Sequence, residues 1–236
     1  MSIFAAMALL TDGDIIGLIG VYAYVAVIIL IARLLRSKTR NPRKIVHILT
    51  GGIVFFWWLF DTRWVMSLLA AFPFVPILLL FTPISPIEKL RNSSLGTISA
   101  EGHPYGLVFY AISWTVIAWF LFDDLFAASV AIASMSFGDG MGDLIGKRFG
   151  KRMYLPNRTL EGSSAVFLFT TVSVIIIGWF YFGIIGYPQF FMPTLMIPFG
   201  LGIGLLVACL EAITPGSVDN LVLPLLVGLF LHVIGA

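Results

Sequence analysis

Charge is the scarcest thing in this chain. Asp, Glu, Lys and Arg make up 11% of its 236 residues, against about 25% in a soluble domain. Mean hydropathy is +1.02. That excludes an ordinary water-soluble fold and puts the chain in a bilayer. There is one cysteine, Cys209, inside an apolar run. An internal disulfide is therefore excluded, and the thiol reads as inert packing. The opening stretch MSIFAAMALLTDGD has no basic residue ahead of its apolar part and does not read as a cleaved signal peptide. The net charge of +2 is too small to point to a nucleic-acid partner, and nothing points to a protein partner. A GxxxxGK[ST] loop is missing throughout, which excludes an ordinary P-loop.

What the chain does have is apolar length. Crossing the hydrocarbon core takes roughly 20 apolar residues per helix. Apolar runs fall at about 15–35, 45–60, 64–82, 106–122, 124–137, 163–183, 190–211 and 221–236. The fifth and eighth are short, so seven crossings remain an alternative to eight. The expected fold is an all-α integral membrane protein, a polytopic bundle of about seven or eight transmembrane helices in one domain over 1–236. Six of the fourteen Lys and Arg lie between Arg33 and Lys44, and five between Lys147 and Arg158. The positive-inside rule makes both loops cytoplasmic. Eight crossings then put 36–44, 83–105, 138–162 and 212–220 inside. The short links near Asp61–Arg63, Asp123–Asp124 and 184–189 fall outside, where Asp123 and Asp124 read as solvated.

The scarce polar residues are grouped. SFGDGMGDLIGKRFGKRMYLPNRTLEG, from Ser136 to Gly162, holds three acids, five bases and six glycines. Asp139, Asp143 and Lys147 are four apart, which on a helix sets them on one face. Two carboxylates there suit Mg²⁺ or another divalent cation, with water and phosphate completing its shell. Lys147, Arg148, Lys151 and Arg152 suit a polyphosphate. The bland reading, interfacial charge alone, fits the bases better than the acids, which are costly at membrane depth without partners. Gly138, Gly142, Gly146 and Gly150 recur at the same spacing and allow close approach of another helix or a ligand. Thr159 and Glu161 open the sixth run, where free backbone N–H groups would suit an anion.

Three smaller groups accompany it. In NPRKIVHILTGG, Arg43 and His47 share one helical face, and Lys44 lies on the next. Arg43 and Lys44 read as phosphate ligands, while His47 is either a polar participant or a satisfied core histidine. In SAEGHPYG, Glu101, His103 and Tyr105 end a loop of about twenty residues, long enough to suggest function; a plain turn shaped by Gly102 and Pro104 is the alternative. In LEAITPGSVDN, Glu211 closes an apolar run with no base nearby in sequence, so its partner must come from another loop or a metal. Asp219 there could be a helix cap.

Taken in order, RKxxH before a glycine pair, FGDGxxDxxGxxxG, TLEGS, and Glu-x7-Asp-Asn before a proline resemble the CTP-dependent polyprenol kinases, that is, the phytol, dolichol and yeast-type diacylglycerol kinases. The resemblance runs from Arg43 to Pro224, and the FGDG…TLEGS block is its specific part. It implies a multi-pass enzyme that moves the terminal phosphoryl of CTP to a lipid hydroxyl with a divalent metal. The family's motif positions fall on Arg43, Lys44, His47, Asp139, Gly140, Asp143, Gly146, Lys147, Thr159, Glu161, Gly162, Glu211, Asp219 and Asn220. Gly142 stands where members often carry Ala, and Arg158 where many carry Lys. The expected metal ligands are Asp139 and Asp143 with Glu161, Glu211 being a further choice. The expected catalytic groups are Asp139, Asp143, Lys147 and Glu211, one carboxylate taking the hydroxyl proton. The nucleotide is expected on Arg43, Lys44, His47, Gly140, Gly146, Arg148, Lys151, Arg158, Thr159, Glu161, Gly162, Asp219 and Asn220. The acceptor the resemblance implies is phytol, geranylgeraniol or a longer polyprenol or dolichol. Two alternatives fit many of the same residues: a CTP:lipid-phosphate cytidylyltransferase of the CDP-diacylglycerol synthase type, and an ion or solute transporter.

Overall fold

Tyr181 shows how the bundle is riveted. Its ring is fully buried, its hydroxyl donates to the Val54 carbonyl (2.7 Å) and it accepts from Ser129 Oγ (3.0 Å). A lone phenol in an apolar interior needs such partners, and these three residues come from three different segments. The computed structural model describes residues 10–35, 42–93, 95–97, 103–187, 193–216 and 218–235.

In chain order these hold α1 (Asp12–Leu35), α2 (Pro42–Thr50), a 3-10 helix Gly51–Leu59, α3 (Val65–Leu79), the single turn α4 (Glu88–Arg91), α5 (Gly106–Phe120), α6 (Leu125–Phe149), a hairpin of β1 (Met153–Leu155) and β2 (Arg158–Thr159), α7 (Leu160–Ile184), α8 (Met196–Ile213) and α9 (Asp219–Ile234). Among the described residues α1, α6, α7 and α8 are long and apolar enough to cross a membrane, and α3, α5 and α9 are shorter apolar helices. The protein is thus an all-α membrane protein. The crossings expected at 45–60, 64–82, 106–122 and 221–236 fall on shorter elements. The fifth run differs most from expectation. It does not end near 137 but continues as helix to Phe149, so the first half of the expected loop 138–162 is helical and its second half is a hairpin.

Helix α6 is the centre. Its apolar window is 89% buried, against 22% for α1. Small residues explain this: Ala127, Ala128, Ala131 and Ala133 are all fully buried and let neighbours close in from every side. Outer faces are apolar instead of charged, as lipid contact requires: Ile19, Leu30, Leu205 and Trp179 are all strongly exposed. Cys209 lies on such an outer face and does not pack inside.

The polar residues separate to the two ends of the bundle. At one end Asp14, fully buried, accepts hydrogen bonds from the backbone N–H of Asp61 and Thr62 (3.1 Å each) and from Thr62 Oγ1. Asp123 pairs with Arg63, and Asp124 caps α6 by accepting from the Ala127 N–H. All of these lie in or beside the short links expected to share one side. Asp14→Ala would strand several donors at once, each costing about 1–3 kcal/mol. The expected result is a clear fall in the thermal-inactivation midpoint of the protein in detergent, with Asp14→Asn intermediate.

Candidate active site

At the other end α6 leaves the apolar core through a widened turn. Ser134–Asp139 is a π-helix, in which the Gly140 N–H reaches back to the Met135 carbonyl. Such turns loosen the carbonyl ladder. Here His47 uses the opening: its Nε2 lies 3.0 Å from the Met135 carbonyl. A carbonyl only accepts, so this nitrogen carries the ring proton. The imidazole is 2% exposed, meets Tyr110 edge-on, and lies 3.8 Å from Asp139 Oδ2. Tyr110 in turn hydrogen-bonds Ser136 Oγ (2.8 Å). His47 is therefore behind Asp139 and does not face the open site.

The π-turn delivers Asp139, 2% exposed, beneath a cation. Lys44 Nζ is 2.9 Å from Asp139 Oδ2 and 3.7 Å from Asp143 Oδ2. Lys147 reaches Asp143 from the next turn, at 2.9 Å. Burial works against the charge on Lys44, but the Asp139 and Asp143 carboxylates, with Asp219 beyond, outweigh it and hold its pKa above the usual lysine value. The (i, i+4) register expected for Asp139, Asp143 and Lys147 is thus a real helical face, and α2 supplies its counter-charge.

The wall opposite comes from the hairpin and from the ends of α8 and α9. Pro156 and Asn157 turn the hairpin, with Asn157 at φ 63°, a left-handed position that Asn tolerates. Thr159 Oγ1 then caps α7 by accepting from the Gly162 N–H. The Leu160 N–H is taken by the Arg152 carbonyl. Two N–H groups of the first turn of α7 are therefore taken by the chain itself. Gly146 and Gly162 bring α6 and α7 together: a Cβ on Gly146 would stand 3.4 Å from the Gly162 Cα. Arg158 leaves β2 to bond Glu211 at the end of α8, and its second nitrogen donates to the Thr214 carbonyl (2.9 Å). That supplies the partner which Glu211 lacks in sequence. Asp219 accepts from the Asn220 N–H, and Asn220 Nδ2 donates to the Gly106 carbonyl (2.9 Å), tying α9 to α5.

These walls enclose an open cavity of about 840 Å³. Arg43, Lys44, Asp139, Asp143, Gly146, Lys147, Arg158, Thr159, Gly162, Glu211, Asp219 and Asn220 all line it. Four stretches far apart in sequence, each expected on one side of the membrane, meet there. Other expected residues do not line it. Gly140 packs against α2, where a Cβ would press on Ile48 and His47. Arg148 lies over the Phe149 ring, and Lys151 is exposed. Glu161 turns away, accepting from the backbone N–H groups of Lys151 and Arg152 (3.1 and 3.2 Å). Tyr105 lies tilted against Phe109, and Glu101 lies outside the described residues. His103 does line the cavity.

Sequence reasoning missed the hairpin residues Met153, Pro156 and Asn157, and also Ser163 and Thr214, all of them in the wall. The Pro-Asn pair was a legible turn signal for the first of these.

Among the described residues no group of three or more Asp, Glu, His or Cys is arranged to hold a metal. Two carboxylates do converge on one cation position, that of the Lys44 ammonium. A donor set of two carboxylates beside a wet cavity suits a hard divalent ion that keeps water and phosphate in its shell.

No family model matches the chain, and no solved structure does. Among curated proteins it is 29% identical over 214 residues to "Phytol kinase" of Synechocystis sp., covering 86% of this chain and 84% of that one. It is 32% identical over 153 residues to "Phytol kinase 1, chloroplastic" of Arabidopsis thaliana. That match covers 61% of this chain and 50% of the plant protein, so the chain spans about half of that relative's length. Both relatives carry the name of one of the kinases that the motifs resemble.

Proposed function

We propose that this chain, a homologue of proteins named phytol kinase, is a lipid-alcohol kinase. It transfers the terminal phosphoryl group of CTP to the hydroxyl of an isoprenoid alcohol, such as phytol, geranylgeraniol or a polyprenol, at the cytoplasmic face. One observation carries this reading: a single cavity at the end of a membrane bundle gathers Arg43, Lys44, Lys147 and Arg158 around Asp139, Asp143, Glu211 and Asp219. That is where a water-soluble triphosphate and a membrane-bound alcohol can meet. The Lys and Arg gathered at 33–44 and 147–158 support a cytoplasmic setting by the positive-inside rule. CTP as donor follows from the motif resemblance.

Phosphoryl transfer asks for positioning and charge neutralisation. Arg43, Lys44 and Lys147 provide cations for the phosphate oxygens. Asp139 and Asp143 would hold a divalent metal, which when bound neutralises charge building on the transferring group. Glu161 has no part in that set, since it is committed to the hairpin backbone. His47 sits behind Asp139, 3.8 Å from its Oδ2, bonded to the Met135 carbonyl. The lysines that now pair with the two carboxylates are free to turn to phosphate once a metal takes their place.

The test is purified protein with radiolabelled CTP or ATP and a panel of lipid alcohols. Expected products are CDP and a lipid monophosphate, in a reaction stopped by EDTA and restored by excess Mg²⁺. Release of pyrophosphate with a phosphorylated lipid as substrate would overturn the kinase reading in favour of a cytidylyltransferase.

A further inference from the structure

The cavity has a second character. Besides its charged wall it is lined by Met153, Pro156, Ala212, Ile213 and Pro215. Ile213 is 75% and Met153 69% exposed, unusual for apolar side chains at the rim of a charged site. Arg158 binds the hairpin to the end of α8, so both belong to one stretch of rim.

Helix α8 leads to that rim. Ile197, Leu201, Leu205, Cys209 and Ile213 are all exposed, and their spacing of four makes a continuous apolar stripe that winds slowly round the helix, about 40° per step. At 1.5 Å per residue the stripe is about 24 Å long, most of a hydrocarbon core of about 30 Å. It ends two residues from Glu211. That carboxylate is 4% exposed and lines the cavity. One of its oxygens, Oε1, is bound by Arg158. The other, Oε2, is buried with no hydrogen-bond partner. A buried acceptor without a donor is costly, and a hydroxyl arriving in the cavity would satisfy it.

We infer that the acceptor alcohol binds over the rim formed by Ile213, Pro215, Pro156 and Met153, its chain along the outer stripe of α8 and its hydroxyl on Glu211 Oε2. This rests on the kinase reading above and adds to it the acceptor's seat and the proton's destination. The hydroxyl oxygen forms a bond to the terminal phosphorus. The bond from that phosphorus to the bridging oxygen breaks, and the nucleoside diphosphate leaves with the electron pair. The hydroxyl proton passes to Glu211 Oε2. Asp139 and Asp143 are engaged by cations on the other wall and do not take it.

Two readouts test this on the full chain in nanodiscs. In kinetics, Ile213→Gln and Met153→Gln together should raise KM for the lipid alcohol about ten-fold, the loss of roughly two buried methylenes' worth of contact. KM for the nucleotide should hold, and Ile213→Leu, which keeps the apolar contact, should raise KM for the lipid alcohol less than Ile213→Gln does. In binding, a Cys209→Ser, Ile213→Cys protein carrying a bimane label should be quenched by a brominated long-chain alcohol. The quenching should be competed by the unbrominated alcohol and should persist in Glu211→Gln. Turnover with unchanged lipid KM in the Gln variants, or quenching without competition, would overturn the portal. Failure of the wild type to phosphorylate any alcohol would instead sink the kinase reading, and the quenching experiment would still decide whether alcohols bind at this rim.

Discussion

Asp139→Asn is expected to lower phosphoryl transfer about a thousand-fold or more, the scale seen when a preorganised charge at a transition state is lost. The variant should also be less stable, for a separate reason. Asp139 and Lys44 form a buried ion pair at 2.9 Å, the carboxylate 3% and the lysine 19% exposed. Deleting one partner of such a pair costs about 3–5 kcal/mol when the other is left charged and buried. Asp143, 3.7 Å from Lys44, will soften that cost. The two effects separate in a double variant. Lys44→Met with Asp139→Asn removes both charges, so the thermal-inactivation midpoint should recover towards wild type. Turnover should not, because the residues proposed to hold metal and phosphate have both lost their charge. A double variant regaining both would mean that the pair is structural only. Asp143→Asn, whose carboxylate is 24% exposed, should leave stability near wild type while still removing most activity.

Most of this site is legible in sequence because the chain is so apolar. In a bundle where almost every residue is chosen for lipid or packing, Asp139, Glu211 and Asp219 stand out individually, and the spacing of Asp139, Asp143 and Lys147 states their shared face. Helix existence is equally plain, since apolar runs of this length have few alternatives in a bilayer. What the spacing does not carry is direction across elements. Arg148, Lys151 and Glu161 have the right chemistry and lie in the right stretch, yet Arg148 lies over the Phe149 ring, Lys151 is exposed, and Glu161 is taken by the backbone N–H groups of Lys151 and Arg152 ahead of the hairpin. His47 is similar: its place behind Asp139 depends on a π-turn in another helix, which no local pattern in NPRKIVHILTGG encodes. The fifth apolar run stops near 137 because charged residues begin there, yet the helix goes on to Phe149 through glycines at 138, 140, 142 and 146. Packing against α2 and α7 overrides the low helix propensity of glycine. The apolar rim escaped notice for the opposite reason. Ile213 and Met153 are ordinary in so apolar a chain, and only their exposure beside a charged cavity sets them apart.

Glu211→Gln is expected to reduce turnover by about a hundred- to ten-thousand-fold, the range for removing a positioned proton acceptor, while lipid binding survives. The amide keeps the side chain's shape and can still accept from Arg158 through its oxygen, but it cannot take the hydroxyl proton. Arg158 provides the control that distinguishes this from a broken scaffold. Its guanidinium spans Glu211 and the Thr214 carbonyl at once, a two-point contact that fixes the end of α8 against the hairpin. Arg158→Met should therefore damage both turnover and thermal stability, since it strands a buried carboxylate and frees the rim. Arg158→Lys keeps the charge but offers a single compact donor group, so it should hold stability better and lose activity only about ten-fold. If Glu211 takes the proton, adding Glu211→Gln to Arg158→Met should restore stability and leave turnover as low as in Glu211→Gln alone. If Glu211 merely holds Arg158 in place, Glu211→Gln should track Arg158→Lys, with modest losses of both stability and rate. The relative order of these four proteins in kcat and in inactivation temperature separates a proton acceptor from a brace.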